Sequence, residues 1–249
     1  MTARIAEKHF DREATVYPVD IGKAHTQFLK WKLLDSFTAP DQLVVDIGAA
    51  SGRHAIPVIQ KGCDVLALDL SPEMLRKLKA NSDGRSLKGR AFTVVAQLPD
   101  LPLGEACFDV AYSYATLLLL PQNEQEEAIK QIARSLKPDG IGIFDLANRY
   151  CLAIRYWDRY YRRLGMRGIF GHSYGNLPAL LKRCGLEMVA IHPQGAVSQF
   201  LLAPGISKSD WVRDKVSGNG DHPGIDDYVS RAFPRLAERW YIVVRRKAD

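Results

Sequence analysis

The chain has 249 residues, 47% apolar and 25% charged, with a formal net charge of +6, an ordinary balance for one folded α/β domain carrying insertions. Its longest apolar run, around Leu117 to Leu120, is far too short to cross a bilayer, and the charged start Met1-Thr-Ala-Arg-Ile-Ala-Glu-Lys lacks the apolar core of a signal peptide. Cys63, Cys107, Cys151 and Cys184 are scattered without CxxC or paired-histidine spacing, so buried thiols in a cytoplasmic protein are expected, and neither a disulfide framework nor a metal site.

In chain order, apolar runs suited to buried strands alternate with helical segments, the pattern of a parallel sheet. Leu43 to Asp46 reads as the first strand and Arg53 to Lys61 as its helix, stopped by Gly62. Pro57 lies about five residues into that helix and predicts a kink. Asp64 to Leu68 is the second strand. Ser71-Pro72-Glu73 supplies an N-cap, a first-turn proline and a first-turn acid for the next helix. Ala91 to Val95 and Cys107 to Tyr114 are the third and fourth strands. Ile129, Ile132, Ala133 and Leu136 repeat at helical spacing, so Gln125 to Leu136 is an amphipathic helix. Lys137 to Gly140 is a turn and Ile141 to Leu146 the fifth strand. A helix over Leu177 to Cys184, ended by Gly185, leads to a sixth strand at Glu187 to Ile191, and Tyr241 to Val244 is the last.

The expected fold is therefore α/β, a doubly wound, mostly parallel, seven-stranded sheet in a single domain over residues 1–249. Two segments break the alternation. Residues 149–173 hold six arginines against the single acid Asp158 up to Arg167, with Tyr150, Tyr156, Trp157, Tyr160 and Tyr161 interleaved. Residues 196–237 carry turn formers at Pro204-Gly205 and Gly218-Asn-Gly220. Insertions of this kind shape specificity at the sheet rim, because ligands bind beyond the strand C-termini.

The stretch Val44-Val-Asp46-Ile-Gly48-Ala-Ala50-Ser-Gly52-Arg53-His54 runs from a strand through a small-residue loop into a helix. Glycines there let backbone approach a ligand closely, and free N–H groups at a helix start attract negative groups. Gly48 is followed by Ala50 and Arg53 where a dinucleotide fingerprint wants glycines, and no P-loop lysine is present. The spacing resembles D-x-G-x-G-x-G, the first motif of class I S-adenosylmethionine-dependent methyltransferases, with Ala50 in place of the middle glycine. Asp64 to Ser71, Leu101 to Val110, Arg134 to Gly140 and the terminal Arg239 to Val244 extend the resemblance over roughly Gln42 to Gly195 and the chain end.

That resemblance implies a Rossmann-like methyltransferase fold with N-terminal cap helices in 1–40, S-adenosyl-L-methionine as cofactor, and methyl transfer to O, N or C of a small-molecule acceptor. It implies Asp46 near the cofactor's amino group and Gly48, Ala50 and Gly52 beneath the ligand. Arg53 would pair with the methionine carboxylate, and Asp69 would accept hydrogen bonds from the ribose. Gln97 would face the adenine amino group, with Leu70 and Leu98 as apolar walls and Tyr17 as a lid contact. His54 reads better as a helix-surface or hydrogen-bonded core histidine than as a ligand group.

On the acceptor side, the Asn/Asp-Pro-Pro-aromatic signature for planar amino groups is missing after the fourth strand. The Arg/Tyr segment suits an anionic or aromatic acceptor. An amphipathic helix on an anionic membrane surface, an RNA-binding face, and a solvated helix with an aromatic core stripe remain its other readings. His172 is the candidate general base, with Tyr114 orienting the acceptor. An RNA methyltransferase and a protein keeping the cofactor pocket for a non-methylating role are the alternative functions. Oligomeric state and acceptor identity are not encoded in any motif.

Overall fold

A computed structural model describes residues 2–83, 85–202 and 209–247. The strands are β1 (Leu43–Ile47), β2 (Asp64–Asp69), β3 (Ala91–Val95), β4 (Phe108–Ser113), β5 (Leu136–Ala147), β6 (Leu186–Gln194) and β7 (Arg239–Arg246). They form one seven-stranded sheet of order β3-β2-β1-β4-β5-β7-β6. The first five are parallel, and β7 inserts antiparallel between β5 and β6, with Asp145 opposite Tyr241 and His192 opposite the same tyrosine. The expected doubly wound, mostly parallel sheet is thus present.

The helices are α1 (Thr2–Glu13), α2 (His25–Phe37), α3 (Ala55–Lys61), α4 (Pro72–Asp83), α5 (Gln122–Ser135), α6 (Leu152–Arg163), α7 (Leu177–Arg183), α8 (Asp210–Ser217) and α9 (Ile225–Ala232). Alternate strand residues face opposite layers. Val45, Ile47, Ala111, Phe144 and Trp240 pack with α5 and α7, while Val44, Val65, Val110, Ile143 and Val243 pack with α2, α3 and α4. Burial on both faces explains why the central strands read as unbroken apolar runs.

Ser71 caps α4 as expected, its Oγ accepting the Met74 N–H at 3.1 Å. Three local expectations are corrected. α3 begins at Ala55 and not at Arg53, so Pro57 is its third residue; a first-turn N–H has no intrahelical acceptor to lose, and no kink is required. Lys137 to Gly140 do not precede the fifth strand as a separate turn but loop out within β5: Phe108 pairs with Leu136 and Val110 already with Ile141, and Asp139 takes a φ of 61°. Cys63, Cys151 and Cys184 are buried, but Cys107 is exposed at the start of β4. Pro204-Gly205 lies outside the described residues, whereas Gly218 and Gly220 form the expected turn with φ of 77° and 57°.

The strand order reverses between β1 and β4, which opens a crevice at their C-terminal ends. The loops after β1 and β4, residues 48–54 and 114–116, border it. α1 covers one side of the crevice. Its Asp11 accepts the Ser71 Oγ–H at 2.6 Å, and Lys77 donates to the carbonyls of Ala14, Thr15 and Tyr17 at 2.6, 3.0 and 3.1 Å.

Candidate active site

The loop after β1 is tied down residue by residue. The N–H groups of Gly48 and Ala49 both donate to the Leu68 carbonyl, at 2.8 and 2.9 Å. Gly48 has a φ of 82°, and a Cβ there would run into the Thr116 side chain of the β4 loop. Ala50 also takes a left-handed conformation, φ 47°, and its N–H donates to Asp69 Oδ2 at 2.8 Å. Oδ1 of the same carboxylate accepts the Ser71 N–H at 2.9 Å. Burial raises the Asp69 pKa, against the lowering effect of these backbone donors.

Two cavities meet at Tyr17, Gly48, Ala50, Tyr114 and Ala115. The first, about 400 Å³, is mainly apolar: Leu70, Leu98, Met74 and Phe10 line it, with Asp69 and Gln97 among its few polar groups. The second, about 350 Å³, is polar, lined by Gln27, Lys30, Asp46, Arg53, His54, Glu238 and Arg239 among others. The pair suits an elongated ligand with a flat apolar ring and hydroxyls at one end and a zwitterion at the other.

In the second cavity the charges are unevenly matched. Asp46 is buried, accepts the Tyr112 hydroxyl at 2.7 Å, and burial pushes its pKa up to about 8 although that hydrogen bond works the other way. A cation brought beside it would restore its charge. Arg239 holds Asp145 and Glu238, each at 3.2 Å. Arg53 faces the Tyr17 ring at 5.6 Å, and its buried Nε has no partner among the described residues. Such an orphan donor fits an incoming carboxylate. These residues satisfy the chemistry of a bound nucleoside with an α-amino acid tail.

Of the expected site residues, the fold brings Tyr17, Asp46, Gly48, Ala50, Arg53, Asp69, Leu70, Gln97, Leu98 and Tyr114 to these two cavities. Gly52 is not among them. With φ 90°, it faces α4, where a Cβ would stand 2.8 Å from Leu78 Cγ, so its bareness serves packing and not the ligand.

His172 does not reach either cavity. It is buried behind the sheet edge, its Nε2 donates to Gln125 Oε1 at 3.0 Å, and burial lowers its pKa to about 4. A neutral imidazole bonded to Gln125 and lining neither cavity is a packing group, which corrects its assignment as general base. The arginine-rich segment is also displaced from its expected role: Arg159 and Arg163 lie exposed on α6 and in neither cavity, and Arg162 is paired with Asp158 at 2.9 Å. Arg167 alone of the six lines the first cavity, and it holds Glu124 at 2.6 Å.

His54, read as a surface or hydrogen-bonded core residue, instead lines the polar cavity with its buried Nε2 unpartnered among the described residues. Lys30, Gln27 and the Asp145–Arg239 pair escaped the sequence reading. The available signal was Lys30 itself, a cation on the same helical face as Leu29, Leu33 and Leu34. Residues 196–237 reach the cavity through Ser198. There Asp226 of α9 accepts the N–H groups of Gly195, Val197 and Ser198 at 2.6 to 2.8 Å.

Residues 44–140 match the family model described as Methyltransferase domain. An uncharacterized methyltransferase of Synechocystis sp. (strain ATCC 27184 / PCC 6803 / Kazusa) is 31% identical over 103 residues, 41% of this chain and 46% of its own length. The malonyl-[acyl-carrier protein] O-methyltransferase of Methylovorus sp. (strain MP688) is 29% identical over 146 residues, 55% of this chain and 48% of its own. The matched stretch thus spans about half or less of these relatives. Among solved structures, a methyltransferase from Thermotoga maritima described as a possible histamine N-methyltransferase has TM-score 0.63 and 17% identity, covering 99% of this chain and all of that one. The [4+2]-cyclase SpnF has TM-score 0.67 and 16% identity, covering 100% and 97%. At that identity the likeness is one of fold. Among the described residues, no helix is long and apolar enough to cross a membrane, and no group of three or more His, Cys, Asp or Glu is arranged to hold a metal.

Proposed function

We propose that this chain, whose residues 44–140 match the methyltransferase-domain family model, is a class I S-adenosylmethionine-dependent enzyme that transfers a methyl group to a small-molecule acceptor. The observation that carries this is the joined pair of cavities at the β1/β4 crevice, one mainly apolar with Asp69 as its carboxylate free of an arginine partner, the other holding a buried acid and an orphan guanidinium nitrogen. Asp69 and Gln97 would take the ribose and adenine, with Leu70 and Leu98 against the ring. Asp46 and Arg53 would take the amino and carboxylate ends of the methionine. Once bound, S-adenosylmethionine supplies an electrophilic methyl sulfonium.

What the protein adds is alignment and a dry site. Tyr114 lines both cavities, and its hydroxyl donates to the Lys30 carbonyl at 3.0 Å, which fixes the ring at the junction where donor and acceptor must meet. α1 closes the apolar cavity through Ala3, Ala6 and Phe10. Among the described residues that line the two cavities the one imidazole is His54, in the polar cavity, and burial holds its pKa well below the ordinary value. Proximity and orientation are therefore the main catalytic contributions in this reading.

Residues 1–249 read as one domain, since the N-terminal helices, the sheet and the 196–237 insertion all contribute walls to the same cavities. Four free cysteines support a reducing, cytoplasmic setting. The test is release of S-adenosylhomocysteine from S-adenosylmethionine with a panel of small acceptors. Acceptor-dependent turnover supports the proposal; cofactor binding without turnover on any acceptor favours a non-methylating role.

A further inference from the structure

The polar cavity holds a cation that the cofactor reading does not use. Lys30 is 6% exposed, deep in the cavity wall, and its Nζ lies 5.4 Å from the Tyr114 ring centre and 5.6 Å from that of Tyr241. The nearby acids, Asp145 of β5 and Glu238 beside β7, are both engaged by Arg239 at 3.2 Å. No described acid forms an ion pair with Lys30. Two ring faces compensate an ammonium only in part, and a buried unpaired charge is costly enough to imply a partner. Beside it, His54 packs edge-on to Tyr114 at 5.1 Å between ring centres, its Nε2 buried without a partner. In its Nε2–H tautomer the neutral imidazole would, with the ammonium, set two donors around one tyrosine.

We propose that this end of the polar cavity is the acceptor subsite, and that Lys30 selects a small acceptor carrying a carboxylate, with His54 donating to its second oxygen. The proposal rests on the reading above, in which Arg53 and Asp46 serve the methionine end of the cofactor. Asp145 and Glu238 offset Lys30 only at a distance, because Arg239 holds both, so Lys30 is the cation at this end free to meet a carboxylate directly. The size follows too: about 350 Å³ shared with the amino acid tail leaves space for a compact molecule. Burial brings the Lys30 pKa down to about 8, with Asp145 and Glu238 opposing and Arg239 and Arg53 adding to the effect. The ammonium therefore predominates at neutral pH, and a bound carboxylate would strengthen it.

The experiment is a ligand-observed NMR titration of matched acids and amides, benzoate with benzamide and butanoate with butanamide, against protein saturated with S-adenosylhomocysteine and against protein alone. The acids should bind at least tenfold more tightly than their amides, and their affinity should fall as pH rises through and above 8. Lys30→Met should lose at least tenfold in acid affinity while keeping S-adenosylhomocysteine affinity within a few-fold. Lys30→Arg should retain most of the acid binding. Equal binding of acids and amides, unchanged acid affinity in Lys30→Met, or no acid binding at 10 mM overturns the proposal while leaving cofactor binding intact. Failure of S-adenosylhomocysteine to bind the wild type overturns the methyltransferase reading instead, and the titrations on protein alone then still report on Lys30.

Discussion

Asp69 Oδ2 accepts the Ala50 N–H at 2.8 Å, joining the loop after β1 to the end of β2 across nineteen residues of sequence. The same carboxylate faces the apolar cavity. It therefore fixes the loop's left-handed turn and would offer its oxygens to a ligand's hydroxyls. Hydrogen bonds to a charged group are worth about 1.5–3 kcal/mol. Asp69→Ala should weaken S-adenosylhomocysteine binding roughly 10- to 150-fold by calorimetry. Equal affinity in the variant would remove Asp69 from the pocket.

Ala50 is held at φ 47°, where an L-residue with a Cβ is strained by about 1–2 kcal/mol. Glycine relieves that strain and gives back about 0.4–1 kcal/mol through greater freedom of the unfolded chain. Ala50→Gly should therefore keep cofactor affinity within a few-fold and leave the melting temperature unchanged or slightly higher. Abolished binding would contradict the loop conformation described for residues 48–52.

How much of this was legible in the sequence depended on range. The β1 loop, the Ser71 cap and the strand ends are local: glycine and alanine at fixed offsets, and a serine before a proline, determine them within a few residues. The sheet's central strands were legible because burial on both faces leaves unbroken apolar runs. The far wall of the polar cavity was not, because it comes from α2, the end of β6 and β7, and Arg239 there meets Asp145 across 94 residues. Which side of α2 carries Lys30 into that space is set by docking on the sheet. His172 was misread for the same reason: its chemistry suggested a base, but Gln125, 47 residues earlier, claims the ring.

His172 should behave as a structural histidine. Its folded pKa is about 4 against an ordinary 6.5, so the unfolded chain binds the extra proton first as pH falls. The stability it contributes is complete above about pH 6.5 and is lost on acidification towards 4. His172→Gln should flatten the stability profile in that window, measured by urea unfolding at closely spaced pH values. Its kcat should stay within a few-fold of wild type; a drop of roughly 10²-fold with cofactor affinity intact would restore the catalytic assignment.

The exposed arginines of α6 should be dispensable for the acceptor. Arg159→Glu combined with Arg163→Glu reverses two charges that line neither cavity. Screening by water and salt makes their influence on the buried subsite small. Acceptor KM should change less than threefold at 0.15 M salt. A tenfold rise would bring α6 back into acceptor recognition.

The most direct measurement of the central claim is calorimetric titration of the purified protein with S-adenosylhomocysteine, alongside adenosine and methionine. The paired cavities predict one site per chain, binding of S-adenosylhomocysteine far tighter than of either fragment, and a rise in melting temperature with ligand concentration. Arg53→Ala should weaken S-adenosylhomocysteine but not adenosine, because only the former carries the amino acid tail. No heat and no thermal shift at millimolar S-adenosylhomocysteine would contradict the account.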